Sequence, residues 1–473
     1  MSKTYILIDT VSIQKYIFAS NRLRMNIGAS YIVGHELFSD ERLKDCKIIY
    51  KGGGNAMLEF LSDGEAIKFI KNYSLDILLN YPGLKLAYGK HDGDIDNLKG
   101  EEFKKFMKEI HKDLRKCKFE NFNQVTPFQP GIVSVCRYTG EAVSVIETNE
   151  NDKTYLSYSA AARNDKSDKA NKELQNGLSV DYKARYDFTA KLEDLGQQEG
   201  KGYIAIVHID GNGVGDMFKK CESKAELQGL SKAVNNIVKG VYGKLLDEVC
   251  KYNYDDLDLK LKEENGKVLL PFRPIILGGD DITFVCEGTL GIYLAQRFLE
   301  LYEMESIDFM EKKVNLAASA GIAIVKTKFP FFKAYEFAEE LLSKAKNQVR
   351  GEKNEDEIYP TVLSYKIQST GNSEEVTSDI LRLNNICNRV KTINYFKNSD
   401  NGWTQNKIMQ LRDVLDIKMK AKKDNCPEYD YFKKHAEMRG LSLPEGVSDE
   451  ELLNAIEKME FYPPNLTTQV NHV

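Results

Sequence analysis

Residues 272–287 read FRPIILGGDDITFVCE: two short apolar β runs, Ile275–Leu277 and Ile282–Cys286, joined by Gly278-Gly279-Asp280-Asp281. Adjacent carboxylates between β runs are costly if buried without a counter-charge, so they belong at the accessible tip of a hairpin. The two glycines permit the tight turn and let other groups approach closely. Upstream, Tyr203–Ile209 (YIAIVHI) has no turn residue, as expected of a strand covered on both faces, and it ends in Asp210. Leu227, Leu230, Val234, Ile237, Val241, Leu245 and Val249 then repeat at three or four residues, a helical period. After the hairpin the pattern predicts a helix over Leu290–Met304, a strand over Leu316–Val325, a helix over Phe332–Lys346 and a strand over Thr361–Tyr365. Strand, helix, hairpin, helix, strand is the order of a ferredoxin-like, palm-type α+β sandwich.

The N-terminal region repeats this plan. Tyr5–Ile8 reads as a strand and is followed by Asp9; an amphipathic stretch runs from Ser12 towards Phe38. A second hairpin, Ile48–Tyr50 and Ala56–Phe60, carries the tip Gly52-Gly53-Gly54-Asn55. Helices are predicted over Ala66–Leu79 and Glu102–Cys117, with a strand over Leu84–Tyr88 between them. A repeat of about 200 residues points to two copies of one domain facing each other. The first copy has no carboxylate at its tip and is expected to be inactive. The expected organisation is therefore α+β: two ferredoxin-like palm domains with a linker insert and a C-terminal helical domain. The boundaries are 1–130 for the first palm, 131–200 for the insert, 201–368 for the second palm and 369–473 for the helical domain. In the insert, Gly131–Cys136 is read as a strand, and the polar run from Thr148 to Gly177 as a linker or loosely packed segment. Ile380, Leu383, Ile386, Cys387, Val390 and Ile393 are read as one helical face, and the tail from Tyr462 as extended or frayed.

Composition narrows the function classes. The chain has 473 residues, 42% apolar and 29% charged, a balance that can bury several cores. With 66 basic and 71 acidic residues, the net charge of −5 supplies no global field for nucleic acid. No apolar run approaches the roughly 20 residues of a membrane span. The first ten residues leave no room for a signal peptide, so a cytoplasmic protein without membrane contact is expected. The eight cysteines and six histidines are scattered without zinc spacing. His91-Asp92 alone does not make an HD phosphohydrolase, which needs further histidine and aspartate ligands.

Asp210 ends the strand beside the hairpin, within reach of Asp280 and Asp281. Three carboxylates and bare backbone carbonyls form an oxygen-only donor set suited to two Mg²⁺ or Mn²⁺ ions, which together clamp a triphosphate. The amides of Gly211-Asn212-Gly213-Val214-Gly215 could cradle phosphates. Ser319 lies on the next strand, and Lys344 and Lys346 end the following helix, where a cation suits the helix dipole. Each feature alone has an ordinary reading: a solvated hairpin, a turn, a dipole partner. Their order along one palm favours catalysis.

The runs IVHIDGNGVGDMF, PIILGGDDITFVC and ASAGIAIVKTKFPFFKAYEFAEELLSKAK resemble the catalytic palm of the large subunit of type III CRISPR effector complexes, a polymerase/cyclase family distantly similar to GGDEF cyclases. SIQKYIFASNRLRMNIGASYIV and KGGGN resemble its first, inactive palm. The resemblance implies that Asp210, Asp280 and Asp281 hold two divalent ions. Gly211, Asn212, Gly213, Gly215, Gly278, Gly279, Ser319, Lys344 and Lys346 would line the nucleotide site. It implies conversion of ATP into a cyclic oligonucleotide messenger for antiviral defence, with RNA and CRISPR effector subunits, or self-association, as partners. A scaffold subunit and a cyclic dinucleotide or mononucleotide cyclase are the alternatives. The sequence departs from the family in three places. It starts at the first palm, so no HD nuclease activity is expected. The insert offers only Cys136 where metal-ligand cysteines are expected. Asn212 stands where related palms often carry a second acid.

Overall fold

The computed structural model describes residues 3–120, 131–149, 152–196, 202–255, 257, 259–352, 359–368, 379–421 and 426–463. The first palm is built on β1 (Lys3–Val11), β2 (Lys47–Gly52), β3 (Asn55–Phe60) and β4 (Lys85–Gly93). They form an antiparallel sheet in the order β2-β3-β1-β4. In β1, alternate residues serve opposite cores, as a strand covered on both sides requires. Ile6 and Ile8 face α1 (Leu23–Tyr31) and α2 (Asp63–Asn80), whereas Tyr5 and Leu7 face α3 (Gly100–Glu120). Ser62 caps α2 by accepting the Glu65 N–H at 3.3 Å.

The insert is packed where it is described. A hairpin, Val145–Asn149 with Asp152–Leu156, leads into α4 (Tyr158–Asn176), which lies along α1. A Cβ on Gly28 would stand 1.7 Å from the Arg163 carbonyl oxygen, so the two helix backbones nearly touch. The buried face of α4 is Ser159, Ala160, Arg163, Ser167 and Ala170; small and polar side chains fit this close approach and leave no apolar period to read. Buried Arg273 of the second palm donates to Asn171 and, at 2.9 Å, to the Thr189 carbonyl, stitching the insert to that palm. This corrects the reading of 148–177 as loose for its described residues, 148–149 and 152–177. Gly131–Cys136 is no strand either; only a single bridge, Val135 to Ala142, forms there.

The second palm contains β5 (Tyr203–Gly211), β6 (Phe272–Gly278), β7 (Asp281–Glu287), β8 (Ala318–Lys326), β9 (Val362–Gln368) and β10 (Asp379–Arg382). Their order is β6-β7-β5-β8-β9-β10, with β8 and β9 parallel and every other pair antiparallel. On one face lie α5 (Lys224–Lys251) and α6 (Gly291–Glu303); on the other lies α7 (Phe331–Val349). Gly321 lets α7 settle onto β8, since a Cβ there would meet the Ala338 carbonyl at 2.0 Å. Gly89 does the same under α3, where a Cβ would meet the Ile110 carbonyl at 2.3 Å.

The palms interlock reciprocally. Both hairpin edge strands carry a register irregularity, between Ile48 and Tyr50 and between Pro274 and Ile276. Gln228 of α5 donates to the Ile49 carbonyl at 2.7 Å, and Ser30 of α1 donates to the Ile275 carbonyl. Both large hydrophobic cores contain residues from the two palms.

Beyond β9 the expectation of helix at Ile380 is corrected: residues 379–382 form β10 on β9. Ile380 and Leu383 are three apart, which suits a helix as well as a strand followed by a turn. Helices Leu383–Lys397, Gln405–Ala421, Pro427–Met438 and Asp449–Lys458 follow. Tyr462, read as the start of a frayed tail, is buried, with its hydroxyl donating to Gln296. Residues 464–473 lie outside the described residues.

Candidate active site

Asp210 is the last side chain on its face of β5, and the register puts Asp281 of β7 opposite it on one side and Ser319 of β8 on the other. Directly opposed antiparallel residues share a face. Asp280 is carried by the two-residue turn that Gly279 opens with φ +63°. The Gly211 N–H donates to the Asp280 carbonyl at 3.2 Å. A Cβ on Gly211 would lie 3.1 Å from the Asp280 Cβ, 2.8 Å from Val214 Cγ2 and 3.3 Å from the Tyr302 hydroxyl. Glycine at 211 is therefore what admits Asp280 to the sheet end.

The electrostatics are those of crowded carboxylates. Burial and then the neighbouring Asp210 carboxylate push the Asp280 carboxyl up to about 7. Lys346, in the last turn of α7, pairs with Asp210 and donates to the Gly211 carbonyl at 3.3 Å. Asp281 accepts from His208 Nε2 at 2.8 Å. Burial disfavours the His208 imidazolium, but Asp281, with Asp210 and Glu339 behind it, outweighs that and raises its pKa.

The remaining predicted residues divide. Asn212 is a latch: its side chain accepts from Ser319 at 2.9 Å and donates to the Pro360 carbonyl at 3.0 Å, and its N–H donates to the Ala317 carbonyl at 2.8 Å. Two amides of the 211–215 run are thus already engaged. Gly213 turns the chain with φ +79° into the short helix Val214–Lys220, which contains Gly215, and the Tyr359 ring covers it. Gly278 meets the first palm, since a Cβ there would lie 3.7 Å from the Cα of Gly53. Lys344 is exposed and stands beside Lys366, not beside Asp210. Two residues went unnoticed in the sequence. His208 sits two before Asp210, hence on its face, and is the one polar side chain in YIAIVHI besides the terminal Tyr203. Tyr302 places a buried hydroxyl without a hydrogen-bond partner against Gly211 and raises no pattern in the helix that carries it.

Among the described residues, no three His, Cys, Asp or Glu side chains stand close enough together to hold a metal ion. Yet the donor set suits a hard divalent cation. Asp280 is raised by burial and by a like charge, Asp210 has drawn a lysine, the Gly211 carbonyl accepts from the same ammonium, and a buried hydroxyl beside them lacks a partner. No helix among the described residues is long and apolar enough to cross a membrane.

Comparison with known proteins bears on the fold that carries this site. Residues 203–355 match the family described as Cas10/Cmr2, second palm domain. No curated protein matches the chain in sequence. Among solved structures, apo Csm1 of a Csm1–Csm4 cassette is similar with a TM-score of 0.60 at 12% identity, over 97% of this chain and 70% of that one. Csm1 of the Csm1–Csm4 subcomplex of the type III-A CRISPR–Csm interference complex is similar with a TM-score of 0.57 at 14% identity, over 97% and 70%. Csm1 in the cassette bound to cA4 gives 0.56 at 14% identity, over 97% and 69%. Residues 203–355 thus match a Cas10/Cmr2 second palm domain, within a chain whose fold is similar to that of Csm1.

Proposed function

We propose that the chain is a metal-dependent nucleotidyltransferase that joins ATP into a cyclic oligonucleotide messenger, releases pyrophosphate and serves antiviral signalling as a type III CRISPR effector subunit. The observation that carries this reading is the placement of Asp210, Asp280 and Asp281 at one sheet end within a Cas10/Cmr2-type palm. It is supported by the similar Csm1 structures, solved with one ATP, with cA3 and with cA4, each in a cassette with Csm4.

Asp210, Asp280 and Asp281, with the Gly211 carbonyl, would hold two Mg²⁺ or Mn²⁺ ions, which when bound neutralise the triphosphate and activate the attacking ribose hydroxyl. Lys346, at the end of α7, is placed to share its charge between Asp210 and phosphate oxygens. The amides that open the helix Val214–Lys220, from Gly213 to Gly215, would cradle phosphate oxygens. Gly278 and Gly53 bring the two tips together, so the nucleotide whose hydroxyl attacks and the one whose α-phosphorus is attacked meet between the palms. The bond formed joins ribose oxygen to α-phosphorus, and the bond broken frees pyrophosphate. A scaffold subunit without turnover is the second reading, favoured by one observation: Asp210 and Asp281 already have partners in Lys346 and His208.

The test is incubation with ATP and Mn²⁺, with products identified by mass spectrometry, beside the Asp280→Asn/Asp281→Asn double variant. The expected loss of pyrophosphate release is about a hundredfold or more, the scale on which catalysis depends on preorganised charge. Equal turnover by both proteins would exclude the assignment, and a wild type that makes no product would favour the scaffold.

A further inference from the structure

We infer that His208 is a positioning residue: it fixes Asp281, the second carboxylate of the hairpin tip, and is itself fixed from the first palm through Tyr335 and Phe18. The inference deepens the cyclase reading and rests on it for its kinetic consequence. His208 is 4% exposed in the middle of an otherwise apolar strand. A buried imidazole is tolerated there only with partners, and it has two. Its Nε2 stands 2.8 Å from Asp281 Oδ1, and the Tyr335 hydroxyl stands 3.5 Å from its Nδ1. Since a carboxylate accepts, the Nε2 proton lies in that bond. The imidazole also stacks on the Tyr335 ring, with centroids 5.4 Å apart and planes at 30°. Tyr335 in turn stacks on Phe18 of the first palm, with centroids 3.8 Å apart and planes at 22°. One pile of rings therefore runs from the first palm to a carboxylate of the second.

The first palm supplies the internal control. Gly89 and Gly321 occupy the same place under their helices, opposite Leu7 and His208 in register. Counting three residues back from Ile110 and Ala338, which those glycines contact, gives Met107 and Tyr335. The palm whose tip ends in Asn55 thus has Leu7 and Met107 where the palm with Asp281 has His208 and Tyr335. The polar pair occurs only with the carboxylate.

An aspartate at a strand end has several open rotamers, and a ligand set works when its members are held before the substrate arrives. His208 removes that freedom from Asp281. Losing such a support typically costs 10–100-fold in metal affinity or activity.

The experiment compares wild type, His208→Ala, His208→Gln and Phe18→Leu in pyrophosphate release from ATP. It measures the Mn²⁺ concentration at half-maximal rate, kcat, and KM for ATP. His208→Ala is expected to raise the Mn²⁺ requirement about tenfold, with KM for ATP little changed. His208→Gln, which keeps an N–H donor, should recover most of that loss, and Phe18→Leu should show a smaller shift of the same kind. An unchanged Mn²⁺ requirement in His208→Ala, or a folded His208→Gln no better than His208→Ala, overturns the proposal. A second arm needs no turnover: in ¹⁵N-histidine NMR spectra of metal-free protein, the His208 Nε2 resonance should move in Asp281→Asn. A resonance that stays in place overturns the contact, even if His208→Ala fails to fold. A wild type silent with every nucleotide overturns the cyclase reading, while the NMR arm still decides the His208–Asp281 contact.

Discussion

The two palms solve one packing problem with opposite residues at the decisive point. In the first, Thr10 follows Asp9, and its N–H and hydroxyl donate to the Gly54 carbonyl at 3.0 and 2.7 Å. In the second, Gly211 follows Asp210 and its N–H donates to the Asp280 carbonyl at 3.2 Å. The bulky residue and the glycine have changed places across the same hydrogen bond. A side chain at 54 would be strained at φ +78° and its Cβ would stand 2.3 Å from the Ile13 Cδ1, so glycine is favoured at this place in the first tip. Even the lysine is kept: Lys118 ends α3 on Asp9 as Lys346 ends α7 on Asp210. The two palms therefore differ in which partner of one strand–tip contact is small, and both keep an acidic strand end.

Exchanging that residue should break the difference most severely. Gly211→Thr gives the second palm the side chain of the first, and the Asp280 Cβ and Tyr302 hydroxyl leave it no space. Turnover measured by pyrophosphate release should fall about a hundredfold or more, whereas Thr10→Gly should leave it unchanged. The two lysines should separate next. Lys346→Met is expected to reduce turnover at least tenfold. Lys118→Met should leave turnover alone and cost about 1 kcal/mol or less in a denaturant melt, the ordinary value of a partly exposed ion pair.

The smallest effect concerns the strand ends that lead away from the tips. Leu61 leaves β3 at 72% exposure, while the matching Glu287 is 1% exposed. Burial pushes the Glu287 carboxyl up to about 7, although Thr289 donates to it through both N–H and hydroxyl. Between the ordinary glutamate value and 7 the native state holds a proton that the unfolded chain has released. This contribution is therefore complete at acid pH and is lost as pH rises towards 7, at about 1.4 kcal/mol per unit. Glu287→Gln should flatten that decline in thermal melts run from pH 4.5 to 7.5. A parallel decline in both proteins would remove Glu287 as its source.

Much of this was legible because the palm writes itself in apolar runs ending at aspartates, and the glycine-rich tips mark where the hairpins turn. The second copy was readable for the same reason. What stayed hidden had no periodic signature. The buried face of α4 is serine, alanine and arginine, so a packed helix looked like a linker. Asn212 reads in the sequence as part of the nucleotide-lining run and as a departure from a second acid, and only its bonds to Ser319, Pro360 and Ala317 show a latch. Lys344 and Lys346 both stand as candidates at one helix end, and the packing of α7 puts Lys346 at Asp210 and Lys344 beside Lys366. His208 was a lone histidine in a strand, and its meaning lies in a register no spacing rule supplies.

The reciprocal grip of Gln228 on Ile49 and Ser30 on Ile275 has a consequence for how the two palms behave on dilution. Two separate palms, even ones sharing two hydrophobic cores as well as these backbone handholds, would associate by mass action, so their assembly would depend on concentration. Carried on one polypeptide, they face each other at the high effective concentration of an intramolecular pair. At a few molecules per cell the two tips would then still stand face to face, because their meeting does not depend on protein concentration.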